Sequence, residues 1–188
     1  MQFSVARESL LKPLQMISGV VEKRQTLPVL SNVLMSLKDS ELSLTGTDLE
    51  VELAGKINVD NSSSSGEITV PARKLFDICK SLPDNSLIEM IVNENKCLVN
   101  SGRSKFSLMT LPAAEFPQVV EEQETLSFNL QQAKLKDLIE ATSFAMAQQD
   151  VRYYLNGMLF EIAHQTLKLV ATDGHRLAMS ELALGGLE

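Results

Sequence analysis

The chain has no tryptophan, and aromatic residues make up only 5% of its 188 positions. Its core must therefore be built from aliphatic side chains, which order by volume and pattern rather than by ring stacking. Cysteine is scarce as well. Cys79 and Cys97 lack metal-ligand spacing and read as two reduced, buried thiols rather than a disulfide framework. No apolar run approaches the roughly 18 residues of a membrane span. The N-terminal stretch Met1–Arg7 lacks a basic segment followed by an apolar one, so no secretory signal and a cytoplasmic location are expected. Phosphate-loop, dinucleotide, nucleophile-elbow and zinc-helix motifs are all missing. Asp173 and His175 could be read as an acid–base or metal pair, but two ligands do not make a site and nothing indicates a third. His164 reads as a surface residue near a turn. Neither catalysis, nor a metal, nor a cofactor is expected. The net charge of −7 argues against simple binding to nucleic acid or to an anionic membrane surface.

What the chain does contain is a repeat. A shift of 125 residues pairs Leu30, Leu34, Leu37, Leu42 and Leu44 with Leu155, Leu159, Ile162, Leu167 and Leu169. The same shift pairs Thr47 and Asp48 with Thr172 and Asp173, and upstream Phe3 with Phe128 and Leu10 with Leu135. A constant offset over about fifty residues marks a duplicated unit.

Each copy predicts a short strand (Phe3–Ala6; Leu126–Leu130) and then an amphipathic helix (Ser9–Val20; Gln131–Ala147). Three strands follow, near Val29–Leu37, Glu41–Thr45 and Glu50–Ile57 in the first copy, and near Tyr154–Ile162, Thr166–Ala171 and Arg176–Leu182 in the second. Between the copies lies a more divergent unit. It comprises a polar loop (Asn61–Gly66), a strand (Glu67–Val70), a helix (Arg73–Leu82) and strands near Leu87–Val92, Lys96–Ser101 and Lys105–Met109. Leu111–Thr125, with two prolines and an acidic run, reads as a linker. The pattern is α+β: duplicated helix-plus-antiparallel-sheet units, with a first domain over residues 1–125 and a second beginning at 126 and running to 188.

Several segments carry a family resemblance. They include Leu44–Glu50 (LTGTDLE), Val70–Lys74 (VPARK), Ser101–Ser104 (SGRS), Thr110–Pro117 (TLPAAEFP), Gln149–Met158 (QDVRYYLNGM) and Ala171–Leu177 (ATDGHRL). Together they resemble the bacterial replicative sliding clamps, the processivity subunit of DNA polymerase III. The resemblance implies a DNA-clamp fold of three similar domains per subunit, with helices lining a hole. Two subunits close head to tail into a homodimeric ring around duplex DNA. It also implies that this chain stops midway through the second domain, without the third, and cannot close the ring alone.

By the same resemblance, Arg24, Arg73, Gln149, Tyr153 and Tyr154 contact DNA without sequence specificity. Leu155, Thr172, Gly174, His175, Arg176 and Leu177 form a pocket for linear motifs of the polymerase III catalytic subunit, the clamp loader and repair polymerases. Half built, that pocket is expected to bind motif peptides poorly. Phe106 and Leu108 mark the strand edge used for dimerisation. Charge fits this scheme. Residues 7–24 and 72–82 each carry +2 and residues 131–152 are neutral, so these segments hold +4 in a chain of −7 and the rest holds −11. A weakly basic hole holds DNA without fixing register. The rival reading is a clamp-fold interaction scaffold that does not touch DNA.

Overall fold

The structure is a computed structural model describing residues 1–21, 27–117 and 128–185. Two compact units divide the chain, Met1–Val120 and Glu121–Glu188.

The first unit opens with strand β1 (Gln2–Ala6) and helix α1 (Arg7–Ile17), whose Leu10, Pro13, Leu14 and Ile17 recur at three- and four-residue spacing and are buried. Strands β2 (Asn32–Lys38), β3 (Glu41–Thr47) and β4 (Glu52–Asn58) form a meander, followed by β5 (Asp60–Ser64), β6 (Gly66–Pro71) and helix α2 (Ala72–Ser81). Strands β7 (Leu87–Asn93), β8 (Lys96–Ser101) and β9 (Ser104–Met109) close the unit. Two antiparallel sheets result, ordered β4-β3-β2-β6 and β5-β1-β7-β8-β9. Alternation decides which faces are buried: Val33, Met35 and Leu37 of β2 and Leu42 and Leu44 of β3 point inward with α1 and α2.

Two glycines set how closely α1 lies on this sheet. A Cβ on Gly46 would overlap Cγ2 of Ile17, and one on Gly55 would sit 2.9 Å from Cβ of Pro13. Helices α1 and α2 also pack against each other. Arg7 ties them at one end. Its guanidinium is largely buried, with Nε donating to the Cys79 carbonyl (2.8 Å), and Nη1 reaching Asp84 (2.8 Å) and Glu8 (3.0 Å). A cation on the last carbonyls of α2 satisfies acceptors that the helix itself leaves unpaired.

The second unit contains helix α3 (Gln132–Ser143) and strands β10 (Leu159–Ala163), β11 (Thr166–Thr172) and β12 (Leu177–Ala183) in the order β10-β11-β12. The 125-residue repeat is present in three dimensions. β3 and β4 map onto β11 and β12 residue for residue, and the 3-10 turn Pro28–Ser31 maps onto Tyr153–Asn156. Register agrees as well: Leu37 faces Leu42 as Ile162 faces Leu167, and Leu44 faces Gly55 as Leu169 faces Ser180. Asp39 and Ser40 turn through positive φ, as do His164 and Gln165. Where unit 1 sets Ile17 against Gly46, the counterpart positions are Thr142 and Ala171. A smaller helix residue thus accompanies a larger sheet residue.

Several sequence expectations are corrected. Asn61–Gly66 is not a loop over its length: β5 pairs with β1, so a serine-rich segment serves as an edge strand, where polar side chains face water. Val29–Leu37 and Tyr154–Ile162 begin as 3-10 turns and extend only later. The first helix ends at Ile17 and the third at Ser143, short of the expected ends. Of the strand expected at Leu126–Leu130, residues 126 and 127 lie outside the described residues and 128–130 are not a strand. Leu111–Phe116 is no free linker: Leu111 bridges to Thr69 and Phe116 is buried, while residues 118–125 lie outside the described residues. Among the described residues, no helix is long and apolar enough to cross a membrane.

The seat of α1 is testable by volume. Gly46→Ala should cost about 1–3 kcal/mol of unfolding free energy through overpacking against Ile17. Ile17→Thr, the pairing found in the second copy, should recover part of that loss in the double variant. Denaturant unfolding of the single and double variants measures both, and equal stability of Gly46→Ala and the parent would refute the close approach.

Candidate functional site

Most of the expected site residues lie in two stretches of unit 2. The first is the turn between β11 and β12. Thr172 Oγ1 donates to the Arg176 carbonyl (2.7 Å) and accepts from the Gly174 amide (3.1 Å). Asp173 accepts from the His175 and Arg176 amides at 2.9 and 3.0 Å and from Arg176 Nε at 2.9 Å. The His175 amide, then the Arg176 amide, hold the Asp173 carboxyl below its usual range. Asp173 therefore bonds the backbone of His175 rather than its ring, and its carboxylate is committed to turn geometry. Among the described residues, no group of three His, Cys, Asp or Glu side chains could hold a metal ion.

The same turn occurs in unit 1. Thr47 Oγ1 bonds the Val51 carbonyl and the Leu49 amide, and Asp48 accepts from the Glu50 and Val51 amides. Each bond sits 125 residues before its counterpart. At the third position both copies adopt positive φ, +79° at Leu49 and +89° at Gly174. That is natural for glycine and strained for leucine. The Thr-Asp pair is thus a turn device of the repeat. What distinguishes unit 2 is the cargo of the turn: Gly-His-Arg-Leu (174–177) where unit 1 carries Leu-Glu-Val-Glu (49–52).

The second stretch is the loop after α3. Asn156 closes it by accepting from the Asp150 amide (2.9 Å) and donating to the Asp150 carbonyl (3.0 Å). Arg152 grips the Asp150 carboxylate through Nε (3.0 Å) and Nη2 (2.9 Å). The Arg152 guanidinium, helped by its backbone amide, lowers the Asp150 carboxyl to about 2. Gln149 turns through φ +58° at the loop's start. Outside this brace stand Tyr153 and Tyr154, 82% and 67% exposed, edge to face with ring centroids 6.0 Å apart.

Arg152 also connects the two stretches. Its Nη atoms lie 3.5 Å from where a Cβ on Gly174 would be, so that glycine leaves room for the guanidinium. Its carbonyl accepts the Leu155 amide (2.8 Å). Leu155 is half-buried, Leu177 is exposed, and Arg176 lies over the ring of Phe144 at 5.8 Å. Sequence reasoning missed Asp150, Arg152, Asn156 and Phe144. An Asp-x-Arg followed four residues later by Asn, directly before two tyrosines, was the available signal.

In unit 1, Arg73 is exposed on α2 beside Lys74 and Lys80. Arg24, the repeat counterpart of Gln149, lies outside the described residues. Arg7, counted above among the basic residues of the helix face, is instead spent on α2 carbonyls and carboxylates. Phe106 and Leu108 lie on β9, an edge strand of its sheet, where Leu108 is buried and Phe106 packs against the unit's core.

Residues 1–120 match the family described as DNA polymerase III beta subunit, N-terminal domain, and residues 129–187 match its central domain. The chain is 62% identical over 183 residues to the beta sliding clamp of Pseudomonas putida, covering 97% of this chain and 50% of that protein. It is similar to the crystal structure of the DNA polymerase III subunit beta from Pseudomonas aeruginosa, at a TM-score of 0.93 and 61% identity, covering 98% of this chain and 50% of that one. A Pseudomonas aeruginosa sliding clamp bound to griselimycin matches at a TM-score of 0.90 and 62% identity over 97% of this chain and 50% of that one. The chain spans about half the length of the curated relatives it matches.

Two measurements check this geometry. Exchanging the third turn residues should move stability in opposite directions by about 1 kcal/mol each: Leu49→Gly stabilises and Gly174→Leu destabilises. Losses at both positions would refute strain at Leu49. For Asp150, a folded pKa below the unfolded value of about 3.9 means the brace stabilises above that pH and is lost as pH falls toward 2. A carboxyl NMR titration should place Asp150 near 2 and return it toward 3.9 in Arg152→Met; an Asp150 titrating normally in the parent chain would disprove the brace.

Proposed function

The chain belongs to the DNA polymerase III beta subunit family, and on that premise we propose that it forms part of a sliding clamp, a ring that encircles duplex DNA and tethers the replicative polymerase. The observation that carries this reading is the match, in order, of two successive domains of that family across both compact units. In this reading residues 1–125 make the first clamp domain with its connector, and residues 126–188 the first half of the second. The protein acts in the cytoplasm as an accessory subunit of the DNA polymerase, without chemistry of its own.

Each site has a physical rationale. Arg73, with Lys74 and Lys80 on the same exposed helix, supplies mobile cations that attract phosphates without reading bases. Arg24 and Gln149 stand at equivalent positions of the repeat and serve the same strand of contacts. Tyr153 and Tyr154, exposed outside the Asp150–Arg152 brace, offer ring faces to bases or sugars. Leu155, Thr172, Gly174, His175, Arg176 and Leu177 contribute to a pocket for linear motifs of polymerases and the clamp loader. Half-buried Leu155 and exposed Leu177 offer apolar anchors a seat, and the N–H groups of Arg176 engage carboxylates. A relative of this chain has been crystallised with griselimycin, which supports ligand binding by this family. The β9 edge with Phe106 and Leu108 pairs with a second subunit, head to tail, through unsatisfied backbone groups.

A titration of the chain with duplex DNA at several salt concentrations tests the reading. Affinity should fall linearly in log–log form, and Arg24→Ala and Arg73→Ala should each reduce the slope by about 1. An unchanged slope in both variants would remove these residues from the interface, and salt-independent or absent binding would favour a scaffold that does not touch DNA.

A further inference from the structure

A 3-10 turn precedes the strand meander in both units, and the two copies hold it by different means. In unit 1 the turn Pro28–Ser31 begins on proline, whose ring fixes φ and suits the first helical position. In unit 2 the turn Tyr153–Asn156 begins on tyrosine, so position 153 lacks that restraint.

One residue takes its place. The Asp150 carboxylate accepts from Arg152 N (2.8 Å), Nε (3.0 Å) and Nη2 (2.9 Å), which fixes the residue just before the turn. The Asp150 backbone bonds Asn156, the last residue of the turn, in both directions. Its amide donates to Asn156 Oδ1 (2.9 Å) and its carbonyl accepts from Asn156 Nδ2 (3.0 Å). Both ends of the turn are therefore tied to Asp150. Unit 1 carries Leu27 and Ser31 at the positions of Arg152 and Asn156, and leucine has no group for such a fork. Gly174 completes the seat, because both Nη atoms of Arg152 lie 3.5 Å from where a Cβ would be.

We propose that Asp150 and Arg152 are positioning residues for DNA contact: they fix the turn as proline fixes it in unit 1, and so free position 153 to carry a tyrosine. This rests on the reading of Tyr153 and Tyr154 as DNA contacts. It gives a carboxylate a place beside a surface that meets phosphates. Spent on Arg152, the charge of Asp150 orders the loop instead of repelling the duplex. Charge alone predicts the opposite of positioning. Removing a carboxylate near DNA tightens binding; removing a brace weakens it.

A short fluorescein-labelled DNA duplex, titrated with the chain at several salt concentrations, separates the two. Asp150→Ala should bind about tenfold more weakly than the parent, the loss expected when one stacking ring is misplaced. Arg152→Met should show a similar loss with an unchanged salt slope. The double variant should be no weaker than either single one, because each breaks the same brace. Tighter binding by Asp150→Ala would overturn the proposal. So would a slope lowered by about 1 in Arg152→Met, which marks a direct phosphate contact. Tyr153→Pro in the Arg152→Met background separates folding from presentation: it should restore the melting temperature and leave DNA affinity low. Recovery of both, or of neither, would count against the proposal.

The brace can also be read without DNA. Tyr153 and Tyr154 are the only tyrosines of the chain, so tyrosine-selective isotope labelling gives NMR ring signals from this pair alone. Their edge-to-face contact should shift these signals in the parent, and Asp150→Ala should return them toward unstructured positions. Unshifted rings in the parent would refute the brace. Shifted rings in a chain that binds the duplex at no salt concentration would refute the DNA reading instead.

Discussion

Helix α1 lies so close to its sheet that no side chain fits at Gly46 or Gly55, and most of the first unit follows from that contact. Close approach lets the apolar stripe of α1, from Leu10 to Ile17, interdigitate with Met35, Leu42 and Leu44 at the density a dry core requires. With α1 seated, Arg7 at its first turn is delivered to the end of α2, where one guanidinium satisfies a helix carbonyl and two carboxylates. The two helices are thereby fixed side by side, leaving Arg73, Lys74 and Lys80 of α2 facing solvent. A basic surface thus depends on an uncharged steric fit.

The duplication shows which features belong to the fold and which to function. Register, the positive-φ turns at Asp39–Ser40 and His164–Gln165, and the backbone bonds of the Thr-Asp turn recur at an offset of 125 residues. Such features are demanded by the meander itself. The two copies part where side chains face outward. The turn of unit 1 presents acidic residues, and that of unit 2 presents His175 and Arg176. In unit 1, Leu30 is buried with Phe116. The repeat therefore acts as an internal control, in which shared residues hold the backbone and divergent residues change what the surface presents.

Electrostatics in unit 2 is local. Asp150 and Asp173 are each satisfied by an arginine two or three residues away and by backbone amides, so each carboxylate stiffens a loop instead of projecting charge. The exposed Tyr153 and Tyr154 stand on the loop that the Asp150 brace closes. The net charge of −7 says little about such an interface, because it sums over faces that never meet the same partner.

Much of this was legible in the chain. Aliphatic periodicity announced the helices and the meander, the constant offset announced the duplication, and the motifs around Tyr153 and Thr172 announced the family. These are local or one-dimensional signals, set by side-chain period and by exact spacing. The serine-rich β5 was missed because an edge strand needs only a neighbour, not an apolar pattern. The role of Leu111–Phe116 was missed because prolines mark a break in regular structure wherever the segment then packs. Arg7 was counted as a surface cation because nothing in its neighbourhood along the chain reveals that Cys79 and Asp84 lie across from it. The sequence by itself determined the elements, their order and the family. The tertiary structure alone decided that Arg7 is spent on α2 and Asp84 and that Val29 and Leu30 are covered by Phe116, since both depend on contacts between residues some seventy or more positions apart.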